Sequence, residues 1–234
     1  LIKHGIQVYI TLYHWDLPQA LHDSFGGWLD KVQIANAFAD YADLCFKTFG
    51  DRVKYWITLN EPWVISVLGY GSGVNAPGRC SSCIPEGGDS SIEPYTVSHS
   101  LILAHARAVQ VYRSKYQQKQ GGKIGITFNS DFFMPQTEAD VNAAERLQLF
   151  LLGWYADPIF KTGDYPQVMR DMVGGRLPTF TEEEKQLVKN SADFFGINHY
   201  TSRYVTEWKG AAPKDVNWWT DSRTNATIFN KDNV

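Results

Sequence analysis

The chain has 234 residues, 44% of them hydrophobic and 14% aromatic, enough to bury a sizeable core in one large domain or two small ones. Its 22 basic and 25 acidic residues leave a net charge of -3 with no basic stripe or run of like charge, which argues against nucleic acid or an anionic membrane surface as a partner. No apolar run is long enough to span a bilayer, and three cysteines in a chain of this length are not a disulfide framework.

Residues 1–4 read as the tail of a helix, so the chain is expected to be a piece of a longer protein. Residues 5–13 form a strand of almost continuous apolar character, as expected when both faces are covered. It runs into His14, Trp15, Asp16 and Pro18. Gly26 and Gly27 punctuate a loop. From 31 to 49, Ile34, Ala35, Phe38, Ala42, Cys45 and Phe49 recur with helical spacing, and Gly50 ends that helix. Cys45 there reads as a buried small hydrophobe. Residues 53–59 are a second strand, rich in β-branched and aromatic residues. Pro62 stops it, having no N–H to donate to a ladder and restricting the residue before it. Asn60 and Glu61 thus fall at the C-terminal lip of a strand.

Residues 64–91 are rich in glycine, proline and serine and read as a long excursion over that lip, a length usually tied to function. Cys80 and Cys83 lie within it, with neither a second pair nor a nearby histidine at zinc spacing, so a small local disulfide and two free thiols both stay open. Residues 93–118 make the strongest helix, stopped by Gly121 and Gly122. A third strand at 123–128 ends in Asn129, Ser130 and Asp131. A helix at 139–155, an excursion at 157–166 and a short helix at 182–189 follow. A fourth strand at 193–200 again carries polar residues at its end. Beyond Thr201 the chain is aromatic and polar, with Trp208, Trp218 and Trp219 in no clear periodicity.

Strands alternating with helices predict an α/β fold with a parallel sheet, either a (β/α)8 TIM barrel or an open doubly wound sheet. No glycine-rich turn after a strand cradles a phosphate, and polar clusters follow every strand, which favours the barrel. Four β/α units here take roughly 55–60 residues each, so eight would need about 470 and this chain holds half a barrel as a single partial catalytic domain, 1–234.

Several of these stretches resemble one family. Residues 58–62 read TLNEP, which resembles the signature of the family 1 glycoside hydrolases, the β-glucosidases and their relatives. Residues 11–18 (TLYHWDLP) resemble the third strand of that barrel, and 196–200 (GINHY) its sixth; 76–79 (APGR), 88–90 (GDS) and 93–95 (EPY) resemble the loop and helix between. The resemblance implies that Glu61 is the general acid/base, giving a proton to a poor alkoxide leaving group and later taking one from water. A second carboxylate about 5–5.5 Å away would raise its pKa toward the working pH, since like charges resist joint ionisation. By the same resemblance Asn60 binds the sugar 2-hydroxyl, and His14 and Trp15 hold its other hydroxyls. Asn198 and Tyr200 surround the nucleophile, the tyrosine hydroxyl donating to it, and Trp63 is the platform for the aglycone.

The family nucleophile is the glutamate of an ITENG-like stretch on the seventh strand, and no such stretch occurs in these residues. Glu207, Asp215, Asp221 and Asp232 follow no comparable strand. The expectation is therefore a partial chain, covering roughly the third to sixth strands, of a retaining β-glucosidase-type O-glycoside hydrolase. It would act on terminal β-D-glucosides or oligosaccharides with no metal or other cofactor, and this stretch alone would be inactive. The alternative is a non-catalytic glycan- or protein-binding barrel of the same family. A glutamate at 61 argues against that, and against the thioglucosidase branch, where glutamine typically stands there. Asn225 opens a glycosylation sequon, a weak pointer to secretion.

Overall fold

The computed structural model describes residues 1–85 and 87–230. Strands Tyr9–Tyr13 (β1), Tyr55–Asn60 (β2), Lys123–Pro135 (β3) and Phe194–Glu207 (β4) lie side by side in chain order, all parallel. Thr224–Thr227 (β5) pairs antiparallel with the far end of β4. This order, with no reversal among the described strands, is the one a barrel requires. A doubly wound sheet reverses its strand order at a switch point, whereas a barrel adds each strand beside the last.

The helices cover one face of the sheet. Gln19–Phe25 (α1) precedes Lys31–Phe49 (α2), whose N-cap Asp30 accepts from the backbone of Val32 and Gln33. Glu93–Lys115 (α3) and Gln117–Gln120 (α4) follow β2, and Gly121 closes them in left-handed conformation. Between β3 and β4 come Val141–Gln148 (α5), Trp154–Asp157 (α6), Gln167–Val173 (α7) and Glu182–Val188 (α8). Trp218–Asp221 (α9) is a single turn before β5. Alternate residues of β2 meet the helices: Trp56 packs edge-on against Phe46 of α2 at 5.1 Å, and Thr58 shares a 2.7 Å hydrogen bond with His105 of α3. On the opposite face Tyr9 stacks on Tyr55 at 4.4 Å and meets the edge of Phe194. Gly125 leaves room for that phenylalanine, since a Cβ there would sit 2.6 Å from its ring.

Some boundaries differ from expectation. β3 and β4 continue past 128 and 200 as a ribbon, pairing from Phe132 with Ser202 to Pro135 with Val205 after a register shift. Phe132 and Met134 are exposed there, which blurs the apolar alternation of a half-buried strand. The helix expected to end at 155 continues through π-helical turns at Leu149–Gly153 and Pro158–Thr162, so the expected excursion starts only after Thr162. Pro158 begins the second of these turns. Three helices were not expected: the four-residue α9, and α1 and α7, each seven residues long and each starting directly after a proline, Pro18 or Pro166. Seven residues are too few for a periodic signal. The excursion after β2 opens with a π-helical turn, Val64–Leu68. Of the two states left open for its cysteines, the Cys80–Cys83 disulfide is the one formed. Among the described residues no helix is long and apolar enough to cross a membrane, and no group of His, Cys, Asp or Glu could hold a metal ion.

Candidate active site

The end of β2 carries the site. Trp56 and Thr58 face the helices, so strict alternation would turn Asn60 the same way. A register irregularity against β3 between Ile57 and Asn60 breaks that alternation, and the Asn60 side chain instead joins the polar lip. Glu61 then adopts φ 49°, in the left-handed region, with its N–H donating to Thr127 of β3 at 2.8 Å. Both side chains are buried, Asn60 at 7% exposure and Glu61 at 3%.

One hydrogen-bonded row links β1, β2 and β4. Asn60 Nδ2 donates to His14 Nε2 at 3.1 Å, so that ring nitrogen is the unprotonated one in this pair. Asn198 Nδ2 donates to Asn60 Oδ1 at 3.2 Å and to Glu61 Oε1 at 2.7 Å, and Tyr200 OH donates to the same Glu61 oxygen at 2.8 Å. Trp15, itself at φ 78°, ties its indole N–H to the Asn60 carbonyl at 2.9 Å. The Glu61 carboxyl it donates to raises the Tyr200 phenol above its ordinary value, with burial adding to the shift. Six of the seven expected site residues are thus joined directly or through one partner. Tyr200 was expected to donate to a second carboxylate; here its acceptor is Glu61 itself.

Trp63 stands outside this row. It meets Trp218 edge-on, ring centroids 4.8 Å apart, on the wall of a cavity of about 690 Å³. That cavity is lined by Glu61 and Tyr200 but not by His14, Trp15, Asn60 or Asn198. Glu61 therefore sits on a border, with amide, imidazole and indole groups to one side and a cavity lined by both aromatic and polar side chains to the other. The cavity also draws on Asn129, Asp131, Arg203, Trp218 and Trp219, which sequence reasoning gave no role. Asn129 and Asp131 were visible as a polar strand end and the two tryptophans as aromatic residues without periodicity. Arg203 gave no signal, because it lies in the part of β4 beyond the expected end.

The model of glycosyl hydrolase family 1 matches residues 1–231. Beta-glucosidase 17 of Arabidopsis thaliana is 52% identical over 231 residues, which are 97% of this chain and 44% of that protein. A rice β-glucosidase structure superposes with TM-score 0.95 at 48% identity, covering 98% of this chain and 49% of that one. A β-glucosidase of the fungus Humicola insolens, in complex with glucose, gives TM-score 0.93 at 44% identity, covering 100% of this chain and 49% of that one. The chain spans about half the length of the relatives it matches. Parallel strands in barrel order, a glutamate at the second strand's lip and a family match along nearly its whole length leave one assignment: this chain belongs to glycosyl hydrolase family 1 and carries about half of that family's (β/α)8 barrel.

Proposed function

We propose that the protein containing this chain is a retaining β-glucosidase, with Glu61 as its general acid/base and its nucleophilic carboxylate supplied by residues outside these 234. The observation that carries the reading is the border position of Glu61, between the polar row and the cavity that holds Trp63. Cleaving a glycoside requires a proton at the oxygen joining sugar to aglycone, so its donor has to stand between the two binding regions. The terminal β-D-glucosyl unit lies on the polar side. Asn60 binds its 2-hydroxyl, a contact that strengthens as the oxocarbenium-like state forms. His14 and Trp15 hold other hydroxyls, Asn198 and Tyr200 flank the anomeric carbon, and Trp63 supports the aglycone. The second carboxylate attacks the anomeric carbon while Glu61 protonates the departing oxygen. Glu61, now ionised, takes a proton from the water that releases the sugar. Support comes also from the rice relative, described in a covalent complex with Glc. With only one of the two carboxylates present, residues 1–234 alone are not proposed to turn over.

The experiment is Glu61→Ala in the full-length protein, assayed on two glucosides. A dinitrophenyl glucoside has a leaving group that needs little protonation, so its glycosylation step survives. An alkyl glucoside needs the proton and loses on the order of 10²–10⁴-fold in kcat/KM, the usual worth of positioned acid catalysis. Equal loss on both would reduce Glu61 to a binding residue.

A further inference from the structure

Three buried hydroxyls run behind the strand lip that carries Glu61. Ser66, in the π-helical turn Val64–Leu68, has its Oγ 2.8 Å from the Pro62 carbonyl oxygen and 3.3 Å from that of Trp63. The same Oγ is 2.7 Å from Tyr155 OH, which is in turn 2.6 Å from Ser98 Oγ. Tyr155 stands in α6 and Ser98 in α3, so the row joins three segments far apart in the chain. Both serines are fully buried and the tyrosine is 1% exposed. A hydroxyl has one hydrogen to donate. Ser98 Oγ has no other partner among the described residues, so it donates to Tyr155, Tyr155 donates to Ser66, and Ser66 donates to the Pro62 carbonyl. The opposite direction would leave the Ser98 hydrogen in the core without an acceptor, which is costly. Burial pushes the Tyr155 phenol well up, against the pull of both serines, which keeps it a neutral donor.

Pro62 is the residue through which the chain leaves Glu61. On the strand side the Glu61 N–H is held by Thr127 at 2.8 Å. A φ of 49° is not a shape that glutamate keeps unaided, so the peptide that follows also has to be held. The hydroxyl row holds it. The Tyr155 ring also lies beside Phe128, the neighbour of Thr127, with centroids 6.3 Å apart. Resting on the reading of Glu61 given above, we infer that Tyr155 is a positioning residue for the acid/base. Acting through Ser66, it fixes the Glu61–Pro62 lip so that the carboxyl meets the oxygen of the bond to be cleaved.

The test uses the full-length protein and the same two glucosides that probe Glu61. In Tyr155→Phe, which keeps the ring, kcat/KM for the alkyl glucoside falls roughly 10- to 100-fold, the effect of a small misplacement of a catalytic group. The loss lies in kcat and not in KM. The dinitrophenyl glucoside loses less than about 3-fold, because its leaving group needs little protonation. Ser66→Ala gives the same split, and adding Tyr155→Phe to it costs little more, since the tyrosine acts through that serine. Ser98→Ala removes the donor to Tyr155; it gives the split in smaller measure and decides the matter should Tyr155→Phe fail to fold. Equal loss on both substrates, no loss on either, or additive losses in the double variant overturns the inference. A Glu61→Ala variant that itself lacks the split defeats the acid/base reading, and the inference falls with it.

Discussion

Trp15 and Glu61 hold left-handed backbone at φ 78° and 49°, a region that costs a non-glycine residue on the order of 1 kcal/mol or more. Each has a bond that holds it there, from the Trp15 indole to the Asn60 carbonyl and from the Glu61 N–H to Thr127. The residue types of the polar row were legible because they are local: a buried strand broken by Pro62 has to leave Asn60 and Glu61 at its lip. Arg203 and the Trp218–Trp219 pair were not, because their place depends on a ribbon and a single turn that carry no periodic signal. Buried histidines give this scale its prediction. Burial pushes His99 down to about 4, with Lys31 and Arg170 adding and Glu184 and Asp164 opposing; burial also pushes His105 down to about 3. Between about pH 6.5 and 4 the unfolded chain binds a proton at each that the folded chain refuses, so stability falls as pH falls, by on the order of 3 kcal/mol for His99. In urea unfolding of the full-length protein at pH 7, 5.5 and 4.5, His99→Phe should lose stability less steeply than wild type. Equal slopes would refute the assignment.

Among the elements, α9 is four residues long and cannot hold itself as an isolated helix, yet it presents Trp218 and Trp219 to the cavity. It is fixed from outside. Asn217 caps it, Trp218 donates to the Phe150 carbonyl at 3.2 Å, and the buried Asp221 accepts from Arg176 at 2.7 and 2.8 Å and from Tyr95 at 2.5 Å. Asp221→Asn keeps the shape but leaves the guanidinium without its counter-charge. The full-length protein should lose about 2–3 kcal/mol in urea unfolding, near the low end for breaking a buried pair because Arg176 is 21% exposed. A change under about 0.5 kcal/mol would mean the turn is held without this pair. The long helices α2 and α3 and the first half of β3 were legible, their apolar spacing being set by burial against one another; the first half of β4 was legible from its apolar residues alone, Phe195 and Ile197 being exposed here. The short helices α1 and α7 and the β3–β4 ribbon were not, because seven-residue helices led by proline and half-exposed strands leave too little of that spacing.

At the scale of the molecule, strands in chain order expose Tyr9, Phe195 and Ile197 by 51%, 44% and 51%, apolar surface that a closed barrel would cover. The family match, with relatives about twice as long, agrees with that geometry. On the reading proposed above, catalysis belongs to the whole barrel, and Glu61 is the carboxylate of the pair that these residues would supply. The most direct measurement is the stereochemistry of azide rescue. In full-length Glu61→Ala with a dinitrophenyl β-glucoside, the glucosyl-enzyme forms and then persists, because nothing activates water against it. Azide needs no general base and fits where the side chain was. Two displacements at the anomeric carbon return the starting configuration, so turnover should recover with β-glucosyl azide as the product. Formation of α-glucosyl azide would mean a single direct displacement, making Glu61 the nucleophile and contradicting its assignment as the acid/base.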